Sequence, residues 1–277
     1  MLYVVATPIG NGEDITGRAL RVMREVDLIA CEDTRRTGRL LAAHSINTPM
    51  MSYFEHNETS RIPELVKRLR SGEHIALVTD AGTPAISDPG YRLVRSAIEA
   101  GINVTSVPGP SAVIAALAIA GLPTDRFAFE GFLPAKSGER ARVLAQLAQE
   151  ERTLVFYEAA RRLPRLLQEL VAAFGPDRQL AVVREATKIH EEVLRGTLVE
   201  LASKLVHREL LGEVTLVIQG TRRKDNGGPG SLPDEAELVG LLREAGLSLK
   251  DASAAAARIT GTSRRKFYQT ALRHERR

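Results

Sequence analysis

Ile75-Ala76-Leu77-Val78-Thr79-Asp80-Ala81-Gly82-Thr83-Pro84-Ala85-Ile86-Ser87-Asp88-Pro89-Gly90-Tyr91 is the stretch that decides how this chain folds. Residues 75–79 are apolar or β-branched and read as a short buried strand. The eleven residues that follow cannot continue it, because they carry two carboxylates, two hydroxyls, two prolines and two glycines. Proline fixes φ and removes a donor, so the loop is stiff and presents its oxygens in a set order. Helical spacing resumes over residues 91–100. Strand, rigid loop and helix in succession form the unit of an α/β sheet.

The same alternation extends in both directions up to about residue 220. Strands are expected at 2–6, 28–31, 75–79, 103–107, 153–157, 179–183 and 214–218. Helices are expected at 18–26, 61–70, 91–100, 112–120, 140–148, 163–174 and 199–207. Crossover helices between strands imply largely parallel sheets, which bind ligands at the carboxyl ends of their strands. Gly121-Leu122-Pro123 and Gly131-Phe132-Leu133-Pro134 close a first unit, and the Gly-rich polar segment from Thr221 to Gly230 reads as a linker. The expected organisation is an N-terminal α/β domain at 1–121, a C-terminal α/β domain at 122–220, a linker at 221–233 and a helical module at 234–277. In that module, two short helices flank a Thr260-Gly261-Thr262-Ser263 turn, in outline a helix-turn-helix.

With 277 residues, 44% of them hydrophobic and 26% charged, the chain has an ordinary globular composition. It is long enough for about two domains with substantial cores. Its one cysteine, Cys31, excludes an internal disulfide framework and suits a reducing cytoplasm. The longest apolar run, residues 112–120, falls well short of the roughly 20 residues needed to cross a bilayer. No basic region precedes the apolar N-terminus as in a signal peptide. The six histidines lack metal-ligand spacing, so no metal is expected.

The formal net charge of +4 conceals an asymmetry. Residues 248–277 hold eight basic and two acidic residues, a net of +6, which leaves −2 for the rest. Such a density suits a segment that meets a polyanion, and it equally suits a solvated terminus.

Four loops after strands carry the candidate chemistry. Thr7-Pro8-Ile9-Gly10-Asn11 precedes a helix that Asp14 or Thr16 would cap. Gly10 permits close backbone approach, although the segment matches neither the dinucleotide fingerprint nor the P-loop and also suits a plain turn. The oxygen-rich 80–90 loop suits a ligand with ribose hydroxyls and an amine, such as a nucleoside-bearing cofactor, and also a purely structural loop with capped ends. In Val107-Pro108-Gly109-Pro110-Ser111-Ala112, Ser111 is placed to cap a helix of small residues, which suits a close backbone approach to a ligand and equally close helix–sheet packing. In Ala30-Cys31-Glu32-Asp33-Thr34-Arg35-Arg36-Thr37, the acidic pair and the arginines suit either a phosphate and base or ordinary helix capping.

Taken in order, these motifs resemble the ribosomal RNA small subunit methyltransferase I family, within the tetrapyrrole methylase superfamily. The likeness also takes in His56-Asn57-Glu58, Phe156-Tyr157-Glu158, Arg184-Glu185-Ala186-Thr187-Lys188 and Gly212-Glu213, and so covers essentially the whole chain. The resemblance implies two α/β/α domains with S-adenosyl-L-methionine in the cleft between them, plus the small helical module. It implies methyl transfer to the ribose 2′-hydroxyl of a cytidine in the decoding region of small-subunit rRNA, free or in the 30S particle, by a cytoplasmic homodimer. By position, the cofactor contacts fall on Pro8, Asp80, Gly82, Ala85, Ile86, Ser87, Ser111 and Ala112, and across the cleft on Tyr157, Ala186, Glu213 and Val214. The chain departs from the family at Gly12, at Ala159-Ala160-Arg161 and at Ala186, and the second departure removes a histidine near the cleft.

A sulfonium donor is already activated, so the protein mainly aligns donor and acceptor and removes the hydroxyl proton. Candidates for that base are Asp33, Asp88, His56 and Glu58. Candidate RNA contacts are Arg35, Arg36 and Arg39 near the cleft, and Arg264, Arg265, Lys266 and Arg273 in the tail. A corrin or porphyrin C-methyltransferase and a non-catalytic rRNA-binding or assembly factor are the alternatives. A tetrapyrrole, which lacks a phosphate backbone, has no need of a tethered basic module.

Overall fold

The structure, a computed structural model of the chain, describes residues 1–221, 235–261 and 263–267. The chain divides into two compact units, Met1–Thr221 and the residues from 222 onward.

The first unit contains two five-stranded sheets. The first is built from β1 (Leu2–Val5), β2 (Leu28–Cys31), β3 (Met50–Ser52), β4 (Ile75–Val78) and β5 (Val104–Val107). Its order is β3-β2-β4-β1-β5, and every pairing is parallel. The strands are apolar on both sides because both faces are covered. Val5, Ile29, Cys31 and Val78 meet α1 (Gly17–Glu25) and α2 (Thr34–Ala43), whereas Leu2, Leu28, Ala30 and Leu77 meet α3 (Glu58–Arg70) and α4 (Tyr91–Glu99). Thr16 caps α1, its hydroxyl accepting the Ala19 N–H at 3.1 Å, and Asp33 caps α2 through the Arg35 N–H at 2.8 Å. The chain leaves β1 toward β2 and leaves β4 toward β5, in opposite directions. The loops after these neighbouring strands therefore pass each other at the carboxyl edge of the sheet, the topological switch point at which such sheets bind ligands. The crevice at this edge is bordered by Thr7–Asn11 and Asp80–Gly90.

The second sheet comprises β6 (Phe127–Phe132), β7 (Thr153–Ala159), β8 (Gln179–Arg184), β9 (Glu192–Thr197) and β10 (Glu213–Ile218), in the order β6-β7-β10-β8-β9. Only β6 and β7 are parallel, and the other three pairings are antiparallel. The expectation of largely parallel sheets therefore holds for the first sheet and fails for the second. There, β8 returns directly as β9 through the 185–191 turn with no crossover helix. Helices α6 (Ser137–Leu147), α7 (Leu163–Phe174) and α8 (Leu198–Leu205) cover one face. The opposite face receives α5 (Ala112–Ala120), whose Val113, Ala116, Leu117 and Ala120 pack on Val155, Ala181, Val183 and Val217. This helix follows β5 in the chain yet buries its apolar side on the second sheet, which ties the two sheets into one unit. Contrary to expectation, Ser111 at its start makes no side-chain cap bond.

In the second unit, α9 (Glu235–Glu244) and α10 (Leu249–Thr260) are followed by a helical turn at 264–267. Leu238, Val239, Ala252, Ala256 and Phe267 form its core. Ser248 caps α10 by accepting the Asp251 N–H at 3.2 Å. The expected 221–233 linker, apart from Thr221, and the last ten residues lie outside the described residues.

Candidate functional site

The crevice loops are held together by backbone. The Thr7 N–H donates to Gly82 O at 2.9 Å and the Gly82 N–H to Thr7 O at 3.0 Å, a two-residue bridge between the loops after β1 and β4. The Thr7 hydroxyl donates to Thr79 O at 3.0 Å, fixing the root of the second loop. Gly82 adopts φ 81°, open to glycine at little cost. Ala85 and Ser87 are also left-handed, at φ 71° and 62°, without being glycine. Such strain persists only where surrounding structure over-determines it, and it concentrates at functional sites. Here the Ile86 N–H reaches Thr83 O and the Ala85 N–H reaches Pro89 O, both at 3.3 Å, so the loop is bonded to itself. The Thr83 hydroxyl bonds Pro110 O at 3.4 Å and joins the third loop to the second.

Carboxylates gather at the carboxyl ends of β2 and β4 and at the start of β10. Asp80 accepts the Asp33 N–H at 3.1 Å and pairs with Arg36 at 3.1 Å. Asp33 bonds Arg35, which lowers its carboxyl to about 2 and keeps it ionised and weakly basic. Glu32 is raised, first by burial and then by the charge of Asp80. Asp88 is pushed up to about 7, chiefly by burial and then by the charges of Glu32, Asp80 and Glu213, with a hydrogen bond from Thr79 opposing the shift. The Tyr157 phenol is raised by burial. It bonds the Val113 backbone at the start of α5, and the charges of Asp88 and Glu213 act on it. Asp88 and Glu213 therefore both lie within electrostatic reach of Tyr157.

The four candidate bases therefore separate. Asp33 and Asp88 both belong to the Asp80 group. Glu58 is buried beyond β3, where it accepts the Tyr53 hydroxyl at 3.1 Å and pairs with Arg92 at 3.0 Å, so its oxygens are already engaged. His56 is exposed, edge-on to Phe54 with ring centres 6.2 Å apart.

The second sheet reaches the crevice at two points. One is the 184–188 turn, where Glu185 and Thr187 are left-handed at φ 51° and 65°. The Asn11 N–H donates to the Thr187 hydroxyl at 3.0 Å. A Cβ on Gly10 would lie 2.8 Å from Ala186 O, so this close approach requires glycine. Glu185 accepts the Glu213 N–H at 3.1 Å and pairs with Lys188 at 2.9 Å. The second point is Gly131, whose Cβ would lie 3.2 Å from the Ser87 hydroxyl. Beside it, Phe129 and Phe132 pack on Tyr157 with centroids 4.9 and 5.5 Å away.

Pro8, Asp80, Gly82, Ala85, Ile86 and Ser87 thus sit on the two facing loops, with Ser111 and Ala112 at the start of α5. Tyr157, Ala186, Glu213 and Val214 belong to the second sheet, where Val214 is buried in the core on the side away from α5. Sequence reasoning left Glu32, Thr79, Gly131 and Thr187 without roles. All four stood in quoted segments, Glu32 as one of an acidic pair, but their parts emerge only from contacts across the fold. Arg35 and Arg36 are exposed outside their pairs with Asp33 and Asp80, and Arg39 is exposed. In the second unit Arg264, Arg265 and Lys266 are exposed, and Arg273 lies outside the described residues. Among the described residues, no three His, Cys, Asp or Glu side chains are grouped to hold a metal, and no helix is long and apolar enough to cross a membrane.

Residues 1–202 match the family model of tetrapyrrole (corrin/porphyrin) methylases, and residues 232–275 match that of the RsmI C-terminal HTH domain. A ribosomal RNA small subunit methyltransferase I from Synechocystis sp. is 47% identical over 99% of this chain and 98% of its own length. Its counterpart from Escherichia coli O157:H7 is 45% identical over 99% and 95%. Among solved structures, the methyltransferase CobJ aligns with a TM-score of 0.60 and 19% identity over 82% of this chain and 97% of its own. Uroporphyrin-III C-methyltransferase from Thermus thermophilus, complexed with S-adenosyl homocysteine, aligns with a TM-score of 0.55 and 21% identity over 79% and 96%.

Proposed function

The chain belongs to the tetrapyrrole methylase family and, within it, to the ribosomal RNA small subunit methyltransferase I family; from that premise we propose that it uses S-adenosyl-L-methionine to methylate the ribose 2′-hydroxyl of a cytidine in the decoding region of small-subunit rRNA. The observation that carries the reading is the strained 80–90 loop, bonded to the first loop by the Thr7–Gly82 bridge and carrying a carboxyl group, Asp88, that titrates near neutrality.

The residues present fit the cofactor. Left-handed Gly82 opens the backbone beside Thr7, and the Ser111 hydroxyl is not spent on capping α5. Pro8, Asp80, Gly82, Ala85, Ile86, Ser87, Ser111 and Ala112 would hold it from one side, and Tyr157, Ala186, Glu213 and Val214 from the other. When bound, it supplies a methyl group on a cationic sulfur.

Asp88 is the base of this account. Removal of a hydroxyl proton is most effective by a group whose pKa lies near the working pH. Asp88 meets that condition, whereas Asp33 at about 2 does not. With the cofactor bound, Asp88 would accept the ribose 2′-OH proton, freeing that oxygen to receive the methyl group that the sulfonium would supply. A cation beside Asp88 favours its ionised form at that moment. Asp80 fixes the Asp33 backbone and orients Arg36, and the exposed guanidinium faces of Arg35 and Arg36, with Arg39, serve phosphates at the rim. The residues at 1–121 and 122–220 act as the two halves of the cleft. The basic module, tethered through 221–233, grips a second part of the same RNA, raising its effective concentration at the cleft. The working form is a cytoplasmic homodimer acting on rRNA or the assembled 30S particle.

Incubation with small-subunit particles and methyl-labelled S-adenosylmethionine tests the reading. Label is expected in the rRNA, and label found only in an added tetrapyrrole, or in neither, would overturn it.

A further inference from the structure

We propose that the exposed ring of Phe132, seated on Tyr157, is the shelf on which the base of the target nucleotide stacks. This deepens the function proposed above and rests on it. Strand β6 lies at the edge of the second sheet, and strict alternation would put Phe132 on the same face as Ala128, opposite Phe129. The structure breaks that alternation. Phe129 pairs with Val155 and Gly131 with Phe156, so Glu130 is an extra residue in a bulge completed by Gly131 at φ 64°. A bulge of this kind re-aims the side chain that follows it. Its effect here is that Phe129 and Phe132 both touch the Tyr157 ring, while Leu133 joins Ala128 in the core on the other side.

The two phenylalanines are not equivalent. Phe129 packs into the apolar cluster beneath α5, whereas Phe132 remains 53% exposed. Burial does not explain an aromatic ring re-aimed by a bulge and then left half in solvent. Its location does. Gly131 abuts Ser87, the residue before Asp88, and the Tyr157 beneath the ring feels the charge of Asp88. An exposed ring on the residue that follows this contact with the Asp88 loop is placed to receive the nucleobase of the nucleotide whose ribose hydroxyl Asp88 deprotonates. Enzymes that modify single nucleotides draw them out of the stack and replace the lost stacking with aromatic side chains. Such stacking tolerates any base, so Phe132 positions the nucleotide without choosing its identity.

The test compares wild type with Phe132→Ala, Phe132→Leu and Phe132→Tyr. Its readouts are kcat/KM for small-subunit particles, S-adenosylhomocysteine affinity by calorimetry, and oligomeric state by sedimentation. Phe132→Ala and Phe132→Leu should each lose about 5- to 150-fold in kcat/KM, the equivalent of one base–aromatic stack, and Phe132→Tyr should restore most of it. Product affinity and oligomeric state should match wild type in all three. Full activity in Phe132→Ala, or restoration by Phe132→Leu, would overturn the proposal. So would a loss that follows product affinity, which assigns the ring to the cofactor, or one that follows dissociation, which assigns it to a subunit contact. A wild-type protein that transfers no methyl group to the particle would instead overturn the underlying reading, and this proposal with it.

Discussion

Asp88 gives the account its sharpest prediction, because its environment alters the pH dependence in a way that an ordinary aspartate would not. A carboxyl group at 3.8 is fully ionised from pH 6 to 8, and a rate that depends on it is flat there. Burial, reinforced by Glu32, Asp80 and Glu213, pushes Asp88 up to about 7. It is then about one-tenth ionised at pH 6, one-half at pH 7 and nine-tenths at pH 8, so the rate rises about fivefold over the first unit and less than twofold over the second. Initial rates with both substrates well below saturation report the free enzyme and should show this rise. Glu32→Gln removes a like charge and should move the rise to lower pH, as should saturating sulfonium cofactor. Asp88→Asn should lose about 10²- to 10⁴-fold and flatten what remains. Stability supplies a check independent of activity. The folded value lies above the unfolded one, so the native state holds the extra proton between pH 3.8 and about 7, and the protein loses stability as pH rises through that window. Asp88→Asn should remove that part of the slope. A wild-type rate that is flat from pH 6 to 8, or an Asn variant within tenfold of wild type, would refute the assignment.

Gly82→Val places a β-branched side chain at φ 81° in the loop bridge and should abolish S-adenosylmethionine binding; normal affinity in calorimetry would put the cofactor elsewhere. Arg140, buried, pairs with Glu169 and donates to Pro134 O and Ala135 O at 2.8 and 2.9 Å. Arg140→Ala should therefore cost about 3 kcal/mol in urea unfolding, and a loss below about 1 kcal/mol would show that the Gly131–Pro134 segment is held by other means. Deletion of residues 222–277 should weaken binding to small-subunit RNA and flatten its salt dependence, by about 0.7–0.9 in log–log slope for each phosphate the module neutralises, while S-adenosylhomocysteine affinity stays unchanged. Equal RNA affinity at equal salt would assign the module another task.

The parts of this architecture that could be read from sequence are those where local chemistry and tertiary role coincide. Ile75–Val78 is buried on both sides, and the composition of 80–90 permits nothing but a loop, so strand, site and crossover followed from one stretch. The second sheet resisted for physical reasons. β9 is an edge strand with charged residues and Gly196, and the bulge in β6 destroys the alternation that would have revealed it. The acidic pair at Glu32-Asp33 divided in a way that only the folded chain could show, with Asp33 spent on capping α2 and on Arg35 while Glu32 acts on Asp88 through space. Thr187 meets Asn11 across 176 positions of chain, a separation no local pattern encodes. His56 and Glu58 entered as candidates through a motif, and the structure gives Glu58 to Tyr53 and Arg92.

Where the transferred methyl group ends up tests the central claim most directly. Small-subunit particles treated with the protein and labelled S-adenosylmethionine would be digested to nucleosides and resolved by mass spectrometry. Label is expected in 2′-O-methylcytidine alone; label on a base carbon or nitrogen, or no label in the RNA, would contradict the assignment.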